Sequence, residues 1–436
     1  MNKKNKDILI IGFALFSMFF GAGNLIFPPY IGVSSGSNWL VSFLGFILSD
    51  VGIIILSIYA ISKAGSFYLM AKRAGNKFAL ILELIVMLCL GPILVIPRTG
   101  ATTFEMGIEP LFNSLNPILF SILFFGIVFI LTIKPTKVMD IIGKFLTPIL
   151  LLALSVLIIK GIITPIGTFN STLTDDSYFL TGLTQGYQTM DALGIGAIVL
   201  MIMTSLASKG YTNKKENISM ALKSSLIAGI GLVLVYGGLA YLGATASTLY
   251  TVEISQTELL INITNLILGN TGISILSIVV TLACLTTAIG LTSVTAKYFE
   301  DITNNRIKYM HIVALITLFS AIMSNLGVDN IIAIAAPILT ILYPVSIVLV
   351  VMGCFSEFIT YDSTFKGAAY STFIISLLTS LNDFGYNFSF IEHLPFSSLG
   401  FNWVIPALIG GFIFTLFEKK TLNNKITDDT LSKKAI

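Results

Sequence analysis

Charged residues are scarce in this sequence. Only 11% of its 436 residues are Asp, Glu, Lys or Arg, whereas a soluble domain carries about 25%. Hydrophobic residues make up 55% of the chain, and the mean hydropathy is +0.92. The composition excludes an ordinary soluble protein and predicts a polytopic membrane protein.

Residues for metal and nucleophile chemistry are also few. The two histidines, His311 and His393, are far apart, and Cys89, Cys284 and Cys354 lie in apolar segments without CxxC spacing. We therefore expect reduced packing cysteines rather than a disulfide or zinc site. No nucleotide-binding loop or GxSxG elbow is present, so we expect no enzyme, no organic cofactor and no nucleic-acid partner.

Apolar segments recur along the whole chain. A helix needs about 20 apolar residues to span the hydrocarbon, and the sequence contains twelve such candidates. They begin near Ile8, Trp39, Phe78, Pro117, Lys144, Tyr178, Ser219, Gly272, Lys308, Asn330, Lys366 and Asn402. The pattern predicts an all-α protein with twelve transmembrane helices in a single transporter domain, 1–417, followed by a cytoplasmic tail, 418–436.

The distribution of basic residues predicts the orientation. With the N-terminus inside, all but two of the 25 Lys and Arg residues fall on the cytoplasmic side. The exceptions are Arg98 and Lys160, and the opposite loops carry the acidic residues Asp175, Asp176, Glu253 and Glu258. This asymmetry follows the positive-inside rule. We expect a multi-pass plasma-membrane protein with both termini in the cytoplasm.

The first apolar segment is interrupted. Gly21, Ala22, Gly23 and Asn24 follow an apolar run that starts at Ile8, and Pro28-Pro29 comes soon after. Glycine and proline are poor in helix interiors, and broken backbone at membrane depth is tolerated only where it is buried or lines a cavity. The segment is either a binding site or a close-packing helix face.

The sixth segment repeats this feature. Residues 182–196 contain four glycines, with Gln185, Gln188, Thr189 and Asp191 among the polar residues. Interrupted helices in corresponding positions are typical of inverted repeats around a substrate site. We expect a five-plus-five repeat (about 8–163 and 178–354) with discontinuous helices 1 and 6, and two further helices at about 366–417. The second interruption favours the site over the packing interpretation.

The broken ends predict two kinds of ligand. Bare amides at Ala22 and Gly23 suit a substrate carboxylate, because a half-helix begins with free N–H groups and a positive dipole end. Carbonyls at Ser17 and Phe20 suit a cation.

The eighth segment supplies a partner for that cation. Ala283, Thr286 and Thr287 lie on one helical face, and their oxygens suit a hard monovalent ion. Alternatively, the two hydroxyls simply bond back to the helix carbonyl.

Five charged side chains lie at or near membrane depth, where such residues are functional candidates. They are Asp50, Glu83, Arg98, Glu105 and Asp191. Arg98 is either a clamp on a carboxylate or the partner of Asp191 or Glu105 in a structural ion pair.

Three motifs carry a family resemblance. The first motif is the segment 16–30, which reads FSMFFGAGNLIFPPY. The other two motifs support the same resemblance and are Gly91-Pro92 through Thr99 and the stretch 189–192. The sequence resembles the bacterial branched-chain amino acid:cation symporters over essentially its whole length. The resemblance implies uptake of leucine, isoleucine and valine driven by sodium or protons. We expect a substrate site formed by Gly21, Ala22, Gly23, Asn24, Arg98, Thr189, Met190 and Asp191, and we expect Leu94, Val95, Met190 and Leu193 to line its apolar part.

A more distant similarity is to the neurotransmitter:sodium symporters. The break at 21–24 resembles their first helix, and Ala283 with Thr286 and Thr287 resembles their second sodium site. We therefore expect Na⁺ as the coupling ion, bound by Ser17, Phe20, Ala283, Thr286 and Thr287. Proton coupling through Asp50 or Asp191, exchange of another neutral amino acid, and a channel are the alternatives.

Overall fold

The fold is built from helices. The computed structural model describes residues 3–112, 114–133, 138–171 and 177–434, except for the side chains of residues 17, 138–147, 149–150 and 421–434. Every regular element in these residues is helical. Lys134, Lys137, Asp175 and Asp176, which contribute to the predicted orientation, lie outside the described residues, as does the Lys144 side chain.

The first half of the chain contains nine α-helices within the described residues. They are α1 (Lys3–Phe19), α2 (Ala22–Ser35), α3 (Trp39–Ile47), α4 (Ile53–Ala64), α5 (Phe67–Ala71), α6 (Asn76–Leu88), α7 (Val95–Thr102), α8 (Pro117–Ile133) and α9 (Val138–Ile163). Wider, π-helical turns at Leu48–Gly52, Cys89–Ile93 and Thr103–Ile108 interrupt the regular helices there.

The second half continues in the same way. Its helices are α10 (Tyr178–Tyr187), α11 (Asp191–Ser208), α12 (Lys214–Ala246), α13 (Gln256–Ile302), α14 (Tyr309–Ser324), α15 (Val328–Cys354), α16 (Asp362–Asp383) and α17 (Val404–Lys434). Helix α13 is kinked at Gly269, whose φ of 65° is in the left-handed region that glycine adopts readily.

Several helical stretches match the dimensions of a bilayer. Six stretches within the described residues are long and apolar enough to cross it: Ala22–Ala64, Asn76–Ile108, Asp191–Ser208, Lys214–Ala246, Gln256–Ile302 and Val328–Cys354. Shorter apolar helices occur at Pro117–Ile133, Leu151–Ile163 and Tyr309–Ser324. The prediction of an all-α membrane protein is confirmed at this level.

The chain forms two units. One comprises residues 1–55 and 85–336, and the other comprises 56–84 and 337–436. In the second unit α16 packs against α17, and a Cβ added at Gly367 would lie 2.2 Å from the Gly410 carbonyl oxygen. The expectation of a single domain over 1–417 stays a prediction.

Close backbone contacts hold the interrupted helices of the first unit. A Cβ added at Gly182 of α10 would lie 1.7 Å from the carbonyl oxygen of Ser42 in α3. A Cβ at Gly243 of α12 would lie 1.9 Å from the carbonyl oxygen of Pro29 in α2. Neither position has room for a side chain, so these glycines set how closely α10 and α2 approach their neighbours.

Candidate functional site

The first break lies between α1 and α2. Phe20 and Gly21 are outside both helices, and Gly21 is extended, with φ −109° and ψ −171°. Its amide donates to the Phe19 carbonyl at 3.0 Å and to the side-chain oxygen of Asn24 at 3.2 Å. Ala22 and Gly23 begin α2, so their N–H groups have no carbonyl one turn earlier in that helix. The break therefore presents helix-start amides at a buried position, since Ala22 is 5% exposed.

The second break lies between α10 and α11. Residues Gln188, Thr189 and Met190 separate the two helices, and all three are buried. Met190 has φ 63° and ψ 8°, a left-handed conformation that costs a non-glycine residue about 1–2 kcal/mol. Such strain persists where the surrounding structure imposes it, and it concentrates at functional sites.

Arg98 contacts both breaks. It lies in α7 and is 2% exposed. Its Nη1 donates to the Gln188 carbonyl at 2.6 Å and its Nη2 to the Thr189 carbonyl at 3.3 Å. A Cβ added at Gly23 would lie 2.8 Å from the same Nη2. The guanidinium thus occupies the space between the start of α2 and the carbonyl end of α10, where the helix dipole favours a cation.

Glu105 is engaged elsewhere. Its carboxylate accepts hydrogen bonds from the Thr257 hydroxyl at 2.6 Å and from the Val328 amide at 2.9 Å. Its described partners therefore belong to the starts of α13 and α15. Glu83, another charged residue of the sequence analysis, lies in the second unit.

Asn24 joins the two breaks directly. Its side-chain nitrogen donates to the Asp191 carboxylate at 2.6 Å and also to the Tyr236 hydroxyl. Tyr236 is fully buried in α12. The sequence analysis missed Tyr236, because one tyrosine in an apolar helix has no pattern that distinguishes it from a packing residue.

Asp50 forms a second link to the α10–α11 break. It lies in the π-helical turn Leu48–Gly52 and is fully buried. Its Oδ1 accepts a hydrogen bond from the Thr189 hydroxyl at 2.9 Å, and that hydroxyl also lies 2.8 Å from the Gly186 carbonyl oxygen. The structure thus brings Asn24, Arg98, Thr189 and Asp191 together, with Gly23 against Arg98.

The residues expected to line an apolar pocket are buried. Leu94 is fully buried, and Val95, Met190 and Leu193 are 8%, 1% and 7% exposed. Leu94 lies one helical turn before Arg98, whose amide donates to the Leu94 carbonyl at 3.1 Å. Apolar side chains therefore accompany the polar groups along α7 and around the second break.

The predicted cation ligands of α13 lie together. The Thr286 and Thr287 hydroxyls donate to the Ala283 carbonyl at 2.8 and 3.0 Å. This is the back-bonded arrangement considered as the alternative, and it also draws three neutral oxygens into one cluster. Both threonines are half-buried. A set of neutral oxygens fits a hard monovalent cation once the hydroxyl hydrogens turn away.

The other two expected ligands lie in α1 and in the first break. Phe20 lies in the first break, and within the described part of the chain it makes no hydrogen bond to Ala283, Thr286 or Thr287. Ser17 lies in α1, and its side chain is outside the described residues. The described residues contain no cluster of three or more His, Cys, Asp or Glu able to hold a metal ion.

An ionic cluster fixes the beginning of α1. The Asp7 carboxylate accepts hydrogen bonds from Lys209 Nζ at 2.6 Å and from the Tyr211 hydroxyl at 2.9 Å. These bonds, first of all the one from Lys209, lower the pKa of Asp7 below its ordinary value. The cluster ties the beginning of α1 to the segment between α11 and α12.

Solved structures define the class of fold. MhsT in complex with L-phenylalanine matches with a TM-score of 0.57 at 16% identity, over 93% of this chain and 98% of that chain. Mhp1, a nucleobase-cation-symport-1 family transporter, in a closed conformation with bromovinylhydantoin bound, matches with a TM-score of 0.63 at 12% identity, over 95% and 93%. At these identities the likeness shows the fold alone.

Sequence comparison identifies the family. The chain belongs to the branched-chain amino acid transport protein family, whose model matches residues 4–421. It is 34% identical over 430 residues to the branched-chain amino acid permease BraB of Bacillus subtilis (strain 168), covering 94% of this chain and 96% of that protein. It is 35% identical over 432 residues to the permease BrnQ of the same organism, covering 95% and 98%. The chain is an integral membrane transporter and not an enzyme, and the predicted family resemblance is confirmed.

Proposed function

We propose that this protein takes up leucine, isoleucine and valine by sodium symport through alternating access. The observation that carries the proposal is the position of Arg98, which binds the carbonyls of the second break and lies against Gly23 of the first. Family membership supports the substrate class, because the related BraB and BrnQ are branched-chain amino acid permeases.

In this proposal the substrate binds between the two breaks. Its carboxylate accepts hydrogen bonds from the Ala22 and Gly23 amides beside the Arg98 guanidinium. Its ammonium group lies toward Asp191, which is half-buried and which Asn24 holds in place at 2.6 Å. Both charged ends of the amino acid then meet complementary groups.

The side chain of the substrate sets its specificity. Val95, Met190 and Leu193 offer a buried apolar surface without polar groups. A pocket that contacts only methyl and methylene groups discriminates by about 1–3 kcal/mol per methylene. Leucine, isoleucine and valine therefore share the site.

Sodium binds, in this proposal, at the oxygen cluster of Ala283, Thr286 and Thr287, with the Ser17 and Phe20 carbonyls completing its shell. The short contacts between the hydroxyls and the Ala283 carbonyl support a preorganised cation site. All these ligands are neutral, which suits a cation that arrives already charged. The ion is a co-substrate and leaves with each cycle.

The proposed topology has twelve spans in a five-plus-five repeat with two further helices. Helices α1 and α2 form the first discontinuous span, and α10 and α11 form the sixth. Helix α16 and the apolar part of α17 are the extra pair. Both termini are cytoplasmic because the basic residues then lie inside.

Uptake into proteoliposomes tests the proposed function. Radiolabelled leucine should accumulate against its gradient when sodium is imposed outside, and unlabelled isoleucine and valine should compete. If leucine only reached equal concentrations on both sides of the membrane, as it would through a channel, active transport would be contradicted. Accumulation driven by an imposed pH gradient without sodium would contradict sodium symport and favour proton coupling, the candidate supported by the buried Asp50 carboxylate.

A further inference from the structure

Asp50 is a buried carboxylate that forms no ion pair with the described residues. It is fully buried, and within the described residues its Oδ2 has no hydrogen-bond partner and its carboxylate no ion pair. Its single described hydrogen bond joins Oδ1 to the Thr189 hydroxyl. Burial of an ionised carboxylate without an ion pair costs desolvation free energy, and one neutral hydrogen-bond donor does not offset that cost.

The ionisable groups that interact with Asp50 are acidic or neutral, and Arg98, the nearby cation, binds the Thr189 carbonyl and interacts with Asp191. The π-helical turn of Asp50 packs against α3, α10, α11 and α12. Asp191 from α11 and Tyr236 from α12 are close enough to interact electrostatically with Asp50. Helix α10 carries the buried Tyr187, and α3 has no titratable residue. Two carboxylates that interact in a low-dielectric site do not both ionise easily.

The Thr189 hydroxyl can serve either protonation state of Asp50. It lies 2.9 Å from Asp50 Oδ1 and 2.8 Å from the Gly186 carbonyl oxygen, but it has only one hydrogen to donate. With Asp50 ionised, the hydroxyl donates to Oδ1 and the Gly186 carbonyl loses this bond. With Asp50 protonated at Oδ1, the acid donates to the Thr189 oxygen and the hydroxyl donates to Gly186, so that both bonds are made.

We propose that Asp50 is a proton-binding site of the transport cycle, occupied by a proton in the arrangement seen here. Release breaks the Oδ1–H bond, the proton passes to water, and the Thr189 hydroxyl turns from Gly186 to the carboxylate that remains. Thr189 belongs to the break that also binds Arg98. Opening of that break therefore hydrates Asp50 and frees the proton. The role in the cycle rests on the proposed transport function, whereas the presence of the proton does not.

Infrared difference spectroscopy on the purified protein tests for the proton. A protonated carboxyl group has a C=O stretching band that an ionised carboxylate lacks. At neutral pH, the spectrum of Asp50→Asn subtracted from that of the parent should contain one such band, and Thr189→Val should shift it because the hydrogen bond is lost. The exposed Asp301→Asn serves as the control and should leave the band unchanged. The proposal would be overturned if the acid bands of the parent were all still present in Asp50→Asn and were unchanged in Thr189→Val.

The pH dependence of sodium-driven leucine uptake tests the role in the cycle. Uptake by the parent should fall as pH rises through the range in which Asp50 deprotonates, by up to about tenfold per pH unit. Asp50→Asn can neither bind nor release a proton, so its uptake should be low and should not depend on pH over the same range. The same pH profile in both proteins would overturn a role in the cycle. If the parent transports no leucine, the proposed function fails, while the infrared band still decides whether Asp50 holds a proton.

Discussion

The guanidinium of Arg98 lies directly against the α-carbon of Gly23. A methyl group at Gly23 would come within 2.8 Å of Nη2. Among the described residues, a methyl group at Gly21 would meet only the Asn24 side-chain oxygen, at 3.6 Å. The two glycines of the first break therefore differ in role. Gly23 makes room for the arginine that reaches the second break, and Gly21, at φ −109°, has a backbone conformation open to other residues.

Arg98 provides the first prediction. Arg98→Lys keeps the charge but loses the planar fork that reaches two carbonyls at once. Loss of one charge-assisted hydrogen bond costs about 1.5–3 kcal/mol, so the affinity for leucine should fall about tenfold or more. Binding of radiolabelled leucine to the purified variant measures this effect. Affinity equal to that of the parent in both Arg98→Lys and Arg98→Gln would show that the arginine is dispensable for binding.

The sodium cluster provides the second prediction. Thr286→Ala or Thr287→Ala removes one hydroxyl ligand, and a loss of about 1.4 kcal/mol would raise the sodium concentration for half-maximal uptake roughly tenfold. Thr286→Ser and Thr287→Ser keep the hydroxyl and are the matched controls. Leucine uptake is measured against sodium at fixed pH. A sodium dependence that is unchanged in the alanine variants would remove Thr286 and Thr287 from the site.

Tyr236 provides the third prediction. Its hydroxyl is one of two acceptors for the Asn24 side-chain nitrogen. Tyr236→Phe keeps the ring and removes the acceptor, at a cost of about 0.5–1.5 kcal/mol. We expect a several-fold loss of leucine affinity in equilibrium binding, because Asn24 is then held less firmly between the breaks. Tyr241→Phe in the same helix is the control. An equal loss in both variants would mean that the effect is not specific to the link with Asn24.

The cluster at the start of α1 provides a prediction on pH and stability. Hydrogen bonds from Lys209 and Tyr211 lower the pKa of Asp7. Their contribution to stability is therefore present above the pKa of unfolded Asp, about 3.9. It is lost as the pH falls through the lower folded value. The Tm of Asp7→Asn should be below that of the parent at neutral pH, and the difference should shrink below about pH 4.

Glu216→Gln is the control for Asp7→Asn. Glu216 pairs with Lys4 at 2.7 Å, but their side chains are 36% and 38% exposed, and exposed pairs contribute little. Its Tm at neutral pH should stay close to that of the parent. A Tm for Asp7→Asn that equals that of the parent at neutral pH would mean that the Lys209 and Tyr211 bonds do not stabilise the folded chain.

The sequence predicts the broken helices but only part of their contacts. Glycines and polar residues at 21–24 and 188–191 stand out in apolar segments, and the structure has breaks next to both. Which side chains meet across them depends on how helices distant in sequence rotate and approach one another. The contacts of Tyr236 with Asn24 and of Asp50 with Thr189 join residues 212 and 139 positions apart, and periodicity carries no information on such pairs. The cation ligands, the orientation and the repeat stay predictions.

The central claim is that the amino acid binds where Gly23 and Arg98 meet. Leucine binding to two alanine variants tests this claim most directly. Gly23→Ala and Gly21→Ala add the same methyl group two residues apart, and the folded fraction of each is checked by size-exclusion chromatography. Equilibrium binding of radiolabelled leucine should be weakened about tenfold or more in Gly23→Ala and should change by less than about threefold in Gly21→Ala. Equal affinities in the two variants would contradict a substrate site at the Gly23–Arg98 contact.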